Sequence, residues 1–337
     1  MRHKHKYITW MVTAALLTVA ASLAAICMGQ FHIPVGRVVQ EIFRPSLSEG
    51  IRDNVKTTIF NIRIPRILMS LMSGAALASS GAAFQSLFAN PLATPDTLGV
   101  ANGASFGAAL ALLLGGSAFE VKGLSLLFGL AAIVLVFAVT RGMGQRNPSL
   151  LMVILAGMVI SSLFSALVSL IKYVADPQDV LPVITFWLMG RFSGITRNSM
   201  LFSAPLMGAG ILLIYLLRFR LNVLSLSEDE AKAMGVNLKR IRCLVIFAAA
   251  LSTAAVVSVC GVIGWVGLLI PHIARMFFGN DNRYVVPASI LSGGLFLLLA
   301  DTAARCLTMA EIPVSILTAV IGAPVFILLL RKTGGLN

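Results

Sequence analysis

What this chain has least of is charge. Of its 337 residues only 12% are Asp, Glu, Lys or Arg, against 58% hydrophobic, and the mean hydropathy is +0.93. A soluble core cannot hide that much apolar surface, so the chain is a membrane protein. Acidic residues are the scarcer sign, 13 against 26 basic. The net charge of +13 is not read as a nucleic-acid signal, because no aromatic-rich basic module accompanies it. Lys and Arg at the membrane–water boundaries account for it. There is no G-x-x-x-x-G-K-[ST] loop to cradle ATP phosphates. Paired carboxylates, an H-E-x-x-H helix and a nucleophile motif are missing too, so an intramembrane enzyme has no support. No ionisable residue falls in the middle of a clear apolar run; Asp301 and Arg305 come toward the end of one. Ion-coupled carriers and voltage sensors rely on buried charges, which makes a stand-alone secondary transporter the weaker alternative. Cys27, Cys243, Cys260 and Cys306 lie in or beside apolar runs with no C-x-x-C spacing. They read as small buried apolar residues, neither disulfides nor metal ligands. His272, in "IPHIAR", reads as a packing or polar-network residue, and no cofactor is implied.

What is there is a series of long apolar runs. A membrane crossing takes about 20 mainly apolar residues. Runs of that kind cover 8–29, 65–84, 97–115, 124–140, 150–172, 200–217, 241–260, 285–305 and 313–330, with a shorter one at 264–279. The N-terminus "MRHKHKYITW" and the C-terminus "RKTGGLN" are both basic, which places both in the cytoplasm. Two cytoplasmic termini require an even number, so the short run is counted and about ten crossings are expected. The first run resembles a signal peptide in charge order. It is too long for one and no A-x-A site closes it, so it is retained as a helix. The chain reads as one domain over 1–337. Positive charge is out of place in the first external loop and the helix after it: Arg37, Arg44, Arg52, Lys56, Arg63 and Arg66. Small-residue runs, "SGAALASSGAA" (73–83) and "GVANGASFGAA" (99–109), predict close helix contacts. Pro271 and its neighbouring glycines predict a broken or kinked helix.

One cytoplasmic segment, 218–242, carries a compact pattern. Ser227 is a plausible N-cap, Glu228, Asp229 and Glu230 fill the first turn, and Gly235 fits the C′ position. That is a short capped helix at the membrane face. It is either a solvated connector or a docking helix that takes up a partner's motion.

Several stretches, in order, resemble the permease subunit of an ABC importer for iron–siderophore complexes, vitamin B12 or haem, of the FecCD, BtuC-like type. They are "RIPRILMSLMSGAALASSGAAFQSLFANPLATPDTLGVANGA" (63–104), "WLMGRFSG" (187–194), "LSEDEAKAMGVN" (226–237), "GVIGWVGLLIPHIARMFFGNDNR" (261–283), "LLLADTAAR" (297–305) and "EIPVSILTAVIGAPVFILLLRK" (311–332). The resemblance implies an all-α type II importer permease of about ten transmembrane helices. It implies a homodimer in the bacterial inner membrane, two separate ATP-binding subunits in the cytoplasm and an extracytoplasmic binding protein; ATP hydrolysis lies on the partner. It also implies that Arg63, Arg66 and Arg305 face outward and dock the binding protein's carboxylates. Two other readings stay open: snorkelling to lipid phosphates, and a pair between Arg305 and Asp301, one turn away. Leu226, Glu230, Ala231, Met234 and Gly235 become the contacts to the ATPase. Arg191 stands where a small residue is common, and is read either as a surface arginine or as a selector of anionic cargo at the pathway mouth. Ferric siderophore is the expected cargo, with cobalamin, haem and molybdate as alternatives.

Overall fold

The computed structural model describes residues 2–29, 31, 33–43, 55–142, 150–225, 230, 235, 237–308 and 310–334. Among these, the chain is helical throughout. The helices are α1 (Arg2–Cys27), α2 (Val35–Phe43), α3 (Ile64–Leu87), α4 (Val100–Leu113), α5 (Ala118–Gly142) and α6 (Leu150–Val174). They continue with α7 (Val180–Leu188), α8 (Arg197–Leu221), α9 (Leu238–Cys260), α10 (Val266–Phe278), α11 (Asn282–Leu307) and α12 (Val314–Gly334). Among the described residues, seven helices are long and apolar enough to cross a membrane, and α4, α10 and α12 carry shorter apolar stretches. The expected ten would be reached only if those three also cross. Helices α2 and α7, nine residues each, are too short to cross.

Local chemistry sets the helix starts. Pro65 is the second residue of α3, directly after the π-helical turn Thr58–Arg63, so its missing N–H falls where the helix changes type. Thr196, Asn237 and Asp281 cap α8, α9 and α11, accepting from the backbone N–H groups of Ser199, Arg240 and Arg283.

The bundle has an inner and an outer layer. The apolar window of α3 is 83% buried, that of α9 72% and that of α11 56%. The windows of α1, α5, α6 and α8 are only 22–33% buried, and their outer faces carry Leu16, Val134, Val159 and Leu216 exposed. Apolar side chains facing outward on a bundle are what a bilayer solvates.

The small residues work as expected. A Cβ on Gly74 would lie 2.1 Å from the Gly293 carbonyl oxygen of α11, and one on Gly81 only 1.8 Å from that of Gly267 in α10. On α4, Gly103 and Gly107 meet the backbone of α5 the same way. Such approach is open only to glycine. The interruption predicted around Pro271 comes earlier. Helix α9 stops at Cys260, Gly261 and Trp265 turn to positive φ, and Pro271 lies inside α10. Pro271 instead removes the N–H that would bond the Gly267 carbonyl, the group that lies against Gly81.

Candidate functional site

At the end of the bundle where α1 finishes and α3 begins, three arginines gather. A π-helical turn, Thr58–Arg63, leads into α3 and sets Arg63 and Arg66 side by side with α11. All three are buried: Arg63 is 4% exposed, Arg66 6% and Arg305 5%. Arg66 holds the centre. Its Nε donates to both Asp301 oxygens at 3.0 Å and its Nη2 to Oδ1 at 2.7 Å, while Nη1 donates to Glu311 at 3.0 and 3.1 Å. Asp301 therefore pairs with Arg66, and the alternative pair with Arg305 is not formed. Arg63 donates to the carbonyls of Ile26 and Phe31, and Arg305 to that of Ala25, so both guanidiniums hold the end of α1. The Arg305 Nε has no partner. With three cations and two carboxylates the cluster keeps a positive excess. Asp301 is fully buried, whereas the Glu311 side chain is 31% exposed, at a residue held at φ +35°.

At the opposite end lies a polar knot that the sequence did not announce. Arg275 donates to the Ser86 hydroxyl at 2.9 Å and the Ala82 carbonyl at 3.1 Å. Ser86 donates to Asn282 Oδ1 at 2.8 Å. Asn222 accepts from the Asn282 backbone and side chain at 2.8 and 2.9 Å, and donates to Asp281 at 2.8 Å. Asn222 directly follows α8 and leads toward the 226–237 segment. The entry to that segment is thus tied to α3, α10 and α11. Of the expected contacts, Leu226, Ala231 and Met234 lie outside the described residues, as does the cap Ser227. Glu230 is helical and exposed, and Gly235 has φ +70°, the left-handed conformation of a C′ glycine.

Arg191 is exposed and follows Gly190, which turns at φ +69°. Its backbone N–H donates to the Cys260 carbonyl at 2.7 Å. It lines a cavity of about 220 Å³ together with Lys122, whose ammonium donates to Ser199 at 2.8 Å. Lys122 was missed because it sits at the edge of an apolar run, where a single lysine reads as a boundary marker. His272 packs its ring 5.8 Å from Phe326 with Nε2 unpartnered, and among the described residues no cluster suited to a metal exists. All four cysteines are free; Cys260 alone is buried, so the apolar-core reading holds for it and not for the exposed Cys243 and Cys306.

Residues 16–332 match the FecCD transport family. The chain belongs to that family. It is similar, at 42% identity over 96% of both chains, to the molybdate import system permease protein MolB of Haemophilus influenzae. It is 38% identical, over 82% of this chain and 83% of the other, to a Helicobacter pylori protein named for iron chelatin transport. Its fold superposes on a solved metal-chelate type ABC transporter in an inward-facing conformation with a TM-score of 0.86, at 40% identity and covering 96% and 98% of the two chains. The FecCD chain described here is thus an all-helical ABC importer permease. Its family supplies the transport path, not the chemistry.

Proposed function

We propose that this chain forms, as a homodimer in a bacterial inner membrane with both termini in the cytoplasm, the pathway of an ATP-driven importer. Two ATP-binding subunits sit beneath it and an extracytoplasmic binding protein delivers cargo from above. The observation that carries this reading is the polarity of the bundle: a basic cluster at one end, and at the other a polar knot that holds Asn222, where the chain leaves α8, against the buried helices.

The mechanism follows from those two ends. Closure of the ATP-binding subunits pushes the 226–237 segment through Leu226, Glu230, Ala231, Met234 and Gly235. The push reaches α3, α10 and α11 through the knot around Asn282 and Arg275. At the other end Arg63, Arg66 and Arg305 supply a positive field toward acidic residues of the binding protein. Their burial makes this steering and orientation rather than an open set of side-chain hooks. Glu311, partly exposed and bound to Arg66, holds the place of the incoming carboxylate.

The cargo is a metal-containing species. The likeness to relatives named for molybdate, for iron chelatin and for vitamin B12 supports three classes, a metal oxyanion, a ferric siderophore and cobalamin. The higher identity to the molybdate relative favours the first. The test is ATP-dependent uptake into vesicles holding this chain with its ATP-binding subunit and binding protein, using labelled molybdate and a labelled ferric siderophore in parallel. Uptake that survives ATP depletion while an ion gradient is intact would overturn the importer reading.

A further inference from the structure

We propose that the cavity between α4, α5, α7, α8 and α9 is a binding site for a tetrahedral oxyanion, held by Lys122 and Arg191. The proposal deepens the importer reading and takes from it only the site's place on the cargo side; binding itself is independent of transport.

The charge balance of the cavity points to an anion. Two cations line it and no Asp or Glu does. Among the described residues the Lys122 ammonium has one hydrogen bond, to Ser199, and no ion pair. The nearest carboxylate in sequence, Glu120, is turned away: it accepts from the backbone N–H of Ser117 at 2.6 Å. The Arg191 guanidinium has no hydrogen bond or ion pair among the described residues, although its backbone is pinned. Withdrawing a cation from water without a counter-charge is costly. This cavity does so with a partly buried lysine and places a second cation at its rim.

The cavity is also built rather than incidental. Gly261, at φ +71°, allows the end of α9 to touch the Trp187–Gly190 backbone; a Cβ there would lie 2.3 Å from the Trp187 carbonyl. That contact and the Arg191–Cys260 bond fix the position from which Arg191 reaches. Ser199, buried at 3% exposure, is bonded to Thr196 at 3.0 Å as well as to Lys122. A guanidinium fork, an ammonium and hydroxyl groups are the donor set that oxygen-rich anions take.

Size selects among anions. At about 220 Å³ the space is below the roughly 300–1,000 Å³ typical for drug-sized ligands. Each water takes about 30 Å³. A four-oxygen dianion with a few waters fits. The same chemistry is offered by a free dianion and by the phosphate of a lipid headgroup.

The test uses the full chain in nanodiscs of zwitterionic lipid, titrated calorimetrically with molybdate, sulfate and inorganic phosphate. Saturable binding at one site per chain is expected, weakened about tenfold or more by Lys122→Met or Arg191→Met and largely kept by Lys122→Arg. Thermal melts of each variant show that it is folded. A second arm adds an anionic phospholipid and weighs the lipid retained after purification. Retained lipid that blocks dianion binding and is lost in both Met variants supports the site with a headgroup as its occupant. Overturning results are no binding in either arm, or binding that the Met variants keep. Either would leave ATP-driven uptake unaffected, whereas failure of uptake with binding intact would remove the importer reading alone.

Discussion

Arg66 and Asp301, 235 residues apart in sequence, form a two-pronged ion pair between α3 and α11 with the carboxylate fully buried. Removing one member of such a pair leaves an uncompensated buried charge, at a cost of about 3–5 kcal/mol. Asp301→Ala is therefore expected to lower the melting temperature sharply in detergent. The double variant Arg66→Met, Asp301→Leu should recover most of the loss, and a double variant as unstable as the single one would contradict the pair's role.

Where α3 meets α10, Gly81 leaves no room at all. Gly81→Ala places a methyl group inside the Gly267 carbonyl, and overpacking of this kind costs typically 1–3 kcal/mol or more. Gly36→Ala, where nothing lies within 4 Å, is the matched control and should melt like the parent.

Docking and charge can be separated through Glu311. Because Glu311 occupies Arg66 Nη1 at a partly exposed position, Glu311→Gln should strengthen binding-protein association by roughly tenfold at low salt, and the gain should shrink as salt rises. Surface-bound permease in nanodiscs with the binding protein in flow gives the measurement; weaker association would show that Glu311 orders the docking face instead of competing for it.

Coupling lies with the 226–237 segment. Glu230→Ala with Met234→Ala should cut the stimulation of ATP hydrolysis by loaded binding protein. Gly235→Val should do so through the backbone, since a β-branched residue is strained at φ +70° by about 1–2 kcal/mol. Stimulation equal to the parent in both would remove the segment as lever.

The capping residue Asp281 gives a pH signature. Arg283, whose Nε donates to Asp281 at 2.7 Å, is the main reason its carboxyl titrates below the usual 3.8. A depressed acid stabilises the fold above its unfolded value and loses that contribution as pH falls through the folded one. Melting temperature should begin to fall as pH drops below about 4 and keep falling through the depressed folded value, and Asp281→Asn should flatten that part of the curve. A parallel drop in the variant would assign the effect to other carboxylates.

Much of this architecture was written in hydropathy. The seven long apolar helices follow from the length of the apolar runs, and the glycine contacts from the density of small residues. What composition could not show is which way a charge turns. Arg63, Arg66 and Arg305 read as a surface rim because arginine at a helix mouth is ordinarily solvated; the fold instead closes α1 over them and pairs Arg66 with a residue far along the chain. The chain break was misplaced for a related reason. Pro271 is the conspicuous residue, but Gly261 and Trp265 carry the positive φ. Arg191 was visible as an arginine where a small residue is common, but Lys122 joins it only in a cavity formed by five helices, and the Asn222–Asn282–Arg275 knot is invisible to any local pattern.

At Gly74 against Gly293 and at Gly81 against Gly267, the backbones of α3, α11 and α10 meet with no side chain between them. At those two points there is nothing to re-interlock, so a shift of α3 against either neighbour has to be carried by the side chains packed elsewhere along the same seams.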